Sequence, residues 1–519
     1  MKNSFYLVIP EQNKNNEFLL SYDKASVNQW VSSLPIANPG LVAQLFYDFV
    51  KKLNATEISL QQRLQVIELL RPCFFKIKRS LCSQLIGSGF PKGDDEKNVF
   101  ELLVSIEREF TLGYWLVVRE ITHRNINWLQ GKNAALAIQR TIKGLAGIVT
   151  SYSLMFLPVP DWVWIDLHSL YKLSVKIKKE NTKVPDEATL LGKSTSAEDS
   201  YIQVLLFSLS DPSGLMQREM HKVINLIDSV SQCVSIEKRP VSDHNIQCVV
   251  LIDEDRKPYF NTDKSQINAS SIFLNLTKLL SNLSQSNKFS SKQQTRFGVT
   301  GLTKKESKKI SEELLIYLRE RWSGIDLKGD SLFSDRLDKY VAVGMSDTYS
   351  LLSSNNNLKH EELAKSFSET QLTCQFSREG ALSVGSLVSY RQTTAPEHKR
   401  YLGLVNKIKM PKLKGKIIFE IFSLSRQIYT VSYMDMEDGF NSKSEHYKAL
   451  LYRVKTDSKE KTYILMASGA YKNGDIVRMF MKDKYFPIML GGGDNIGQGY
   501  WQFECRRIDE EKKSQFSKK

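Results

Sequence analysis

The spacing of hydrophobic and polar positions divides the chain into a helical first half and a strand-rich second half. In the first half, apolar residues recur three and four positions apart, as on one face of an amphipathic helix. The clearest series is Leu41, Leu45, Phe49 and Leu53. In the second half, short runs rich in β-branched and aromatic residues alternate with turn signals, which is typical of β-barrels and sandwiches. The series predicts an amphipathic helix of about four turns.

Helical spacing predicts a succession of helices along the first half and two more in the segment after it. Ser59 and Gln62 form a candidate capping box, in which the serine oxygen accepts an otherwise unpaired amide at the helix start. The helix that they open carries Leu60 and Ile67 on one face and meets Pro72. The other predicted helices are 25–34, 99–129, 134–152, 201–209, 215–233, 270–283 and 303–322.

The strongest strand signal is Thr373–Val405, where two β-rich runs flank the polar loop Gln392–Arg400 and predict a hairpin. Asn473-Gly474 predicts a second hairpin turn, because both residues tolerate the left-handed backbone of tight turns. The other predicted strands are 247–253, 340–343, 417–422, 428–433, 450–454, 462–466, 476–481 and 500–505.

These patterns predict an α+β multidomain protein, with an all-α N-terminal body followed by small β-modules. A chain of 519 residues is too long for one hydrophobic core. The predicted parts are an N-terminal edge segment (1–24), a helical domain (25–235), a mixed segment (236–330) with a linker (284–295) and a helix (303–322), a β-barrel (331–425), a further β-module (426–510) and a tail (511–519).

The net charge of +15 favours anionic partners, although a lysine-rich solvated surface accounts for the charge as well. The most basic loop lacks the stacking aromatic residues of nucleic-acid grooves, so we expect no nucleic-acid partner. Its lysines are Lys407, Lys409, Lys412, Lys414 and Lys416. A composition of 41% hydrophobic and 25% charged residues is that of an ordinary globular protein.

The chain shows no membrane or export signal, so we expect a cytoplasmic protein. No run reaches 18 apolar residues, and the apolar patch near the N-terminus is too short for a signal peptide. The six cysteines are scattered without Cys-x-x-Cys spacing, which predicts reduced and mostly buried thiols rather than disulfides or a zinc site.

The sequence gives no catalytic or metal-binding motif, and we predict that the protein is not an enzyme and carries no cofactor or metal. Asp161, Asp166 and His168 lie close together, but in a segment rich in aromatic packing residues. The glycine-rich stretch Gly491–Gly499 resembles a phosphate loop but contains no lysine and leads into a strand pattern. We therefore expect it to be a flexible loop between strands.

Residues Cys374–Val405 resemble a PilZ domain, the small β-barrel that binds cyclic di-GMP. In that family an Arg-x-x-x-Arg motif precedes the first strand, and an Asp/Asn-x-Ser-x-x-Gly motif closes over a guanine. Here Leu332 stands where the first arginine belongs and Arg336 matches the second. The resemblance implies ligand-binding roles for a set of residues that departs from the family pattern at Gln375. The set is Arg336, Gln375, Ser377, Arg378 and Gly380.

The chain also resembles one group with this domain, the FimW-like cyclic-di-GMP receptors connected with bacterial surface attachment and type IV pili. The N-terminal resemblance rests on Ser33-Leu34-Pro35-x-Ala37-Asn38-Pro39, Leu69-Leu70-Arg71-Pro72 and Gly113-Tyr114. It implies a signalling effector that takes cyclic di-GMP as its ligand and has protein partners in the attachment or pilus machinery.

The alternative is a degenerate PilZ-like scaffold that binds protein partners through its helical body without nucleotide. Leu332 stands where the family has an arginine, and this favours the alternative. Each charge-assisted hydrogen bond that an arginine would make to the ligand contributes about 1.5–3 kcal/mol to binding. Lys339, Arg378 and Arg391 are the candidates to replace the missing guanidinium.

Overall fold

The protein divides into two compact units in its computed structural model. The first consists of Met1–Gly87, Asp94–Pro212 and Gln217–Leu327, and the second of Ser88–Gly93, Ser213–Met216 and Lys328–Lys519. The residues that the structure describes are 9–13, 22–86, 88–123, 131–186, 194–241, 246–261, 270–286, 312–324, 337–353, 360–366, 370–412, 415–435, 446–455, 460–467, 469–481 and 484–508.

The first unit is mainly helical. Its first eight helices are α1 (Lys24–Ser33), α2 (Pro39–Ala55), α3 (Leu60–Ile86), α4 (Asp94–His123), α5 (Gly131–Leu154), α6 (Val163–Lys176), α7 (Ala197–Leu209) and α8 (Gln217–Val230). Ser59 Oγ accepts a hydrogen bond from the Gln62 amide at 3.2 Å, as expected of a serine cap. Helix α3 contains Pro72 in its interior and continues to Ile86.

The amphipathic helix predicted from Leu41, Leu45, Phe49 and Leu53 is present as α2, but its buried face is centred on other residues. Leu41 and Leu45 are 46% and 37% exposed, whereas Val42 and Phe46 are buried. The sequence offers two apolar stripes about 100° apart on this helix, and the packing of α2 against α3 and α4 buries the one that contains Phe46, whose ring centre lies 6.4 and 5.9 Å from those of Phe74 and Phe110. Leu53 lies on both stripes and is fully buried.

Among its described residues, the first unit also contains a small antiparallel sheet and two further helices. The sheet has the order β1-β4-β2-β3. Its strands are β1 (Ser235–Glu237), β2 (Gln247–Leu251), β3 (Tyr259–Asn261) and β4 (Ser271–Asn275), and the helices are α9 (Thr277–Ser286) and α10 (Glu312–Trp322). The predicted helix 270–283 is wrong in its first half, because the apolar run Ser271–Asn275 is a buried strand paired with β2.

The second unit contains two closed six-stranded antiparallel barrels. The first barrel has the strand order β10-β7-β6-β5-β8-β9. Its elements are β5 (Leu337–Val343), α11 (Met345–Leu352), β6 (Glu362–Ser366), β7 (Gln371–Cys374), β8 (Leu387–Gln392), β9 (Tyr401–Lys409) and β10 (Ile417–Ser425). The hairpin predicted around residues 384–405 is confirmed, since β8 pairs with β9 in antiparallel register. Lys407 and Lys409 lie on β9 rather than in the predicted loop.

The second barrel has the order β11-β12-β13-β16-β15-β14. Its strands are β11 (Ile428–Asp435), β12 (Tyr447–Lys455), β13 (Glu460–Met466), β14 (Ile476–Met481), β15 (Lys484–Gly497) and β16 (Tyr500–Arg507). The predicted hairpin at Asn473-Gly474 is wrong, because β13 pairs with β12 and β16 while β14 pairs with β11 and β15. The stretch Gly491–Gly497 belongs to β15 and is not a flexible loop.

The predicted α+β multidomain fold is confirmed by this succession of helices and barrels. No helix in the described part of the chain is long and apolar enough to span a membrane. The six cysteines form no disulfide, and only Cys248 and Cys374 are fully buried, so the thiols are less buried than predicted. Residues 1–8 and 14–21 of the predicted N-terminal edge segment, most of the linker 284–295 and the tail 511–519 lie outside the described residues.

Candidate functional site

A cavity of about 130 Å³ lies in the first barrel beside the predicted Ser-x-x-Gly motif; we call it the Ser377 pocket. Its apolar wall is formed by Val341 and Val343 of β5 together with Phe376 and Ala381. Its polar residues are Asp347 in α11, His360, Glu362 in β6, Ser377 and Arg378. Strand alternation explains the wall, because Val341 and Val343 are two positions apart and therefore point to the same side of β5.

Ser377 is fixed at the rim of the pocket by Glu362. Its backbone amide donates to Glu362 Oε1 at 3.0 Å, and its hydroxyl donates to the same oxygen. A carboxylate that accepts two hydrogen bonds from one residue holds that residue in a single orientation. The second oxygen of Glu362 can accept a hydrogen bond from a ligand that enters the pocket.

Arg378 forms a loose ion pair with Asp347. Its Nη2 lies 3.6 Å from Asp347 Oδ2, and the side chains are 60% and 18% exposed. Water screens a pair with this exposure, so the guanidinium can change partners at little cost. Asp347 lies in the first turn of α11, where the helix dipole favours a negative charge.

The five predicted ligand residues differ in where the structure places them. Ser377 and Arg378 line the pocket together. Gln375 is exposed just after β7, and Gly380 has a left-handed backbone with φ of 67°. Neither of these two residues lines the pocket. Arg336 lies outside the described residues.

Arg391 cannot serve as the replacement guanidinium, because a buried ion cluster already holds it. Its Nε and Nη2 contact the two oxygens of Glu361 at 3.1 and 2.8 Å, in bidentate geometry. Arg400, whose side chain is fully buried, pairs with the same carboxylate and donates to Ser389 Oγ at 2.9 Å. Burial opposes the charged form of Glu361, but the two arginines outweigh it and lower the pKa of the carboxyl group.

Lys339 is also partly committed, since its Nζ lies 3.5 Å from Asp338 and the side chain is 15% exposed. Arg378 is therefore the one of the three proposed substitutes that lines the pocket. The residues that the sequence reasoning missed are Asp347, Glu361, Glu362 and Arg400. Asp347, Glu361 and Glu362 stand on segments with no strong apolar alternation, and Arg400 ends a polar loop in which periodicity does not distinguish it from its neighbours.

His168 is a packed core residue of the first unit. Its Nε2 lies 2.9 Å from the carbonyl oxygen of Arg256, and its Nδ1 lies 2.6 Å from Tyr201 Oη. A carbonyl only accepts, so Nε2 carries the proton and Nδ1 accepts from the tyrosine. Burial lowers the pKa of His168 to about 4, which keeps the ring neutral. No group of three potential metal ligands occurs among the described residues.

The N-terminal motif residues organise the helical unit. Asn38 caps α2 by accepting from the Leu41 amide at 3.1 Å, and Pro39 is the first residue of that helix. Tyr114 Oη donates to Glu68 Oε1 at 2.5 Å. At Gly113 an added Cβ would lie 2.8 Å from Ile67 Cδ1, so a larger residue here would require the Ile67 side chain to move.

Arg71 takes part in a buried charge network centred on Asp186. Its Nη2 lies 2.7 Å from Asp186 Oδ1, while Arg140 and Lys143 approach the same carboxylate at 3.8 and 3.9 Å. Gln139 donates to its other oxygen at 3.3 Å. Burial alone would raise the pKa of Asp186, but the surrounding positive charges lower it. The network joins the segment before α7 to helices α3 and α5.

Comparison with known proteins identifies this helical region. Residues 25–241 match the family model described as the N-terminal domain of the cyclic-di-GMP receptor FimW. The cyclic-di-GMP receptor FimW of Pseudomonas aeruginosa is 25% identical over 247 residues, which are 48% of this chain and 40% of that protein. The similarity therefore spans less than half of either protein, and no solved structure matches the chain. Over residues 25–241 the chain is therefore similar to the N-terminal domain of a cyclic-di-GMP receptor, which confirms the FimW-like resemblance predicted from its motifs.

Proposed function

We propose that the protein is a cyclic-di-GMP-responsive effector that binds its ligand at the Ser377 pocket. The observation that carries the proposal is the match of residues 25–241 to the N-terminal domain of a cyclic-di-GMP receptor. A receptor binds its ligand without converting it, so we propose a binding protein rather than an enzyme. The closed six-stranded barrel that contains the pocket supports a PilZ-type module at residues 331–425.

The chemistry of the pocket is compatible with one end of a cyclic dinucleotide. Guanine presents an amino group as a donor and its O6 and N7 as acceptors. The carboxylates of Asp347 and Glu362 can accept from the donor, and the Arg378 guanidinium can contact either the acceptors or a phosphate. A volume of about 130 Å³ is below the roughly 300–1,000 Å³ of pockets that enclose a whole ligand. We therefore propose that only one base edge enters and that the phosphates remain at the surface.

The remaining predicted residues complete this proposed site. Arg336 directly precedes β5, which supplies Val341 and Val343 to the pocket wall. We propose that Arg336 contacts a phosphate, while Gln375 and Gly380 shape the loop around the ligand. By the same resemblance we propose that the protein acts in the bacterial cytoplasm and regulates surface attachment or type IV pili through protein partners.

Isothermal titration of the full chain with cyclic di-GMP tests the proposal. We expect micromolar binding that weakens roughly ten- to a hundredfold in Arg378→Ala and in Arg336→Ala, because each loses charge-assisted hydrogen bonds. Arg453→Ala is the matched control, since Arg453 forms a similarly exposed ion pair with Glu460 at 3.7 Å in the second barrel. Absence of heat at high ligand concentration, from protein with an intact circular dichroism spectrum, would exclude the receptor function.

A scaffold without nucleotide is the second candidate. It is favoured by the burial of Arg391 and Arg400 with Glu361, which leaves one arginine among the pocket-lining residues that the structure describes. Two carboxylates beside that single arginine also oppose the approach of a dianion. The titration separates the two candidates, because a scaffold retains its fold but gives no binding signal with cyclic di-GMP.

A further inference from the structure

The segment between helices α3 and α4 pairs with the loop that lines the Ser377 pocket. We call residues Ser88–Gly93 the strap; they belong to the same compact unit as the two barrels. The Phe90 amide donates to the Leu382 carbonyl at 2.6 Å, and the Leu382 amide donates back to the Phe90 carbonyl at 2.8 Å. The Gly380 amide donates to the Pro91 carbonyl at 2.8 Å. Three backbone hydrogen bonds thus connect the strap to residues 380–382.

Two side chains of the strap are buried, so the strap is packed into the unit and not only bound at its surface. Phe90 is fully buried and Lys92 is 1% exposed. The Lys92 ammonium group donates to the carbonyl oxygen and hydroxyl of Ser88 at 2.6 and 3.0 Å and lies 4.7 Å from the centre of the Phe90 ring. These contacts within the strap favour one conformation, because a buried ammonium group requires hydrogen-bond acceptors.

The approach of strap and loop leaves no space for a side chain at Gly89. An added Cβ there would lie 2.4 Å from the Gly380 carbonyl oxygen and 2.8 Å from that of Leu382. Both neighbours are backbone atoms, so no side-chain rotation can relieve the overlap. Alanine at this position must therefore displace the strap from the loop or the loop from the pocket.

The pocket loop is consequently held at both ends. Glu362 fixes its beginning at Ser377, and the strap fixes its end at Gly380 and Leu382. Arg378 and Ala381, which line the pocket, lie between these two attachments. A ligand that moves the loop must therefore either break the strap hydrogen bonds or move the strap with it.

We propose that the strap is the positioning element of the Ser377 pocket and that ligand occupancy and strap attachment are thermodynamically coupled. The inference rests on the proposed function and adds a regulation of that site. The strap is covalently continuous with α3 and α4 of the FimW-type N-terminal domain, so movement of the loop reaches these helices along the chain. Coupling is reciprocal: a strap that is displaced changes ligand affinity, and a bound ligand changes the stability of the strap.

Hydrogen–deuterium exchange of Gly89→Ala, without ligand, is the first test. We expect the amides of residues 380–382 to exchange about tenfold faster than in the unmodified chain, because their acceptor and covering groups are displaced. Gly40→Ala is the matched control, since the nearest atom to a Cβ at Gly40 is Asn38 Oδ1 at 3.7 Å. Unchanged exchange at residues 380–382 in Gly89→Ala would overturn the proposal. If Gly89→Ala loses its circular dichroism signal, Phe90→Leu takes its place with the same expectation.

Titration with cyclic di-GMP is the second test. We expect Gly89→Ala to change the dissociation constant at least fivefold while Gly40→Ala leaves it unchanged, and we expect the ligand to alter exchange at the Phe90 amide. Equal affinity in both variants would overturn the coupling. If the unmodified chain binds no cyclic di-GMP, the proposed function fails, whereas the positioning role of the strap is still decided by the exchange at residues 380–382.

Discussion

The helical unit and the Ser377 pocket each contain an arginine–aspartate ion pair, but the first pair is buried and the second is partly exposed. Arg71 and Asp186 are separated by 2.7 Å, with side chains 8% and 0% exposed. Arg378 and Asp347 are separated by 3.6 Å, with side chains 60% and 18% exposed. The first pair is fixed by its surroundings, whereas the second retains contact with water. A guanidinium group that is already paired in a buried site is not available to a ligand, whereas an exposed and loosely paired one is.

Residues of one barrel show both cases side by side. Glu361 binds two arginines in the barrel wall, while Glu362, the next residue, faces the pocket and holds Ser377. Successive side chains of an extended strand point to opposite sides, so Glu361 faces the two arginines and Glu362 faces the pocket. Charge type alone therefore does not identify a binding residue; its burial and partners do.

The largest effect is expected from Asp186→Ala. Removing the carboxylate leaves Arg71, Arg140 and Lys143 without their shared counter-ion in a buried site, which costs about 3–5 kcal/mol. Urea denaturation of the full chain measures the loss in the free energy of unfolding. Glu460→Ala, which removes an exposed partner of Arg453, is the control and should cost less than about 1 kcal/mol. Similar losses in both variants would show that the buried network is no different from a surface pair.

His168 gives the next largest effect, through pH. Its pKa is lowered from 6.5 to about 4 by burial, so the unfolded chain takes up a proton that the folded chain excludes. Stability from this residue is complete above pH 6.5 and falls as the pH decreases towards 4, by about 3 kcal/mol in total. Denaturation curves of the full chain and of His168→Gln between pH 7 and 4 measure the difference. Parallel losses in the two proteins would contradict a buried neutral imidazole.

Much of the fold could be predicted from periodicity, and the exceptions have physical causes. The hairpin of β8 and β9 has a strong β-rich pattern, and the structure confirms it. Strand β6, Glu-Leu-Ala-Lys-Ser, buries only the small residues Ala364 and Ser366 and leaves Leu363 40% exposed, so apolar alternation could not reveal it. Asn473-Gly474 lies between β13 and β14 and has the sequence of a hairpin turn. The two strands nevertheless pair with other strands, because closure of the barrel places them apart in its strand order.

The candidate site was less predictable than the fold. Ser377 and Arg378 were found from the motif, and the structure places both at one pocket. Asp347, Glu362 and the strap are 30, 15 and more than 280 positions away from Ser377 in the sequence. Residues so far apart in the sequence meet only in the folded chain, so local periodicity cannot predict that they share a site.

Glu361→Gln tests the structural carboxylate of the first barrel. The amide keeps the shape of the side chain but removes the charge that balances Arg391 and Arg400, so we expect a loss of about 1–3 kcal/mol in the free energy of unfolding. Because the arginines lower the pKa of Glu361, its contribution is present above the ordinary carboxyl pKa and is lost as the pH falls through the lower folded value. Denaturation at pH 7 and at pH 3 therefore should show a smaller difference between the two proteins at the lower pH. A constant difference would assign the effect to packing instead of charge.

The smallest change in stability is expected from Arg378→Ala, and this small change is what makes the variant informative. An ion pair with one partner 60% exposed contributes less than about 1 kcal/mol to folding. The same substitution should weaken cyclic-di-GMP binding roughly tenfold or more, because in the complex the guanidinium exchanges a screened carboxylate for a phosphate or a base. Urea denaturation and calorimetric titration on one preparation give both values. A loss of more than about 2 kcal/mol in the free energy of unfolding would show that Arg378 stabilises the fold, as the buried arginines do. The Ser377 pocket would then have no arginine that is free of a structural role among its described residues, and the contrast between buried and exposed ion pairs would not apply to it.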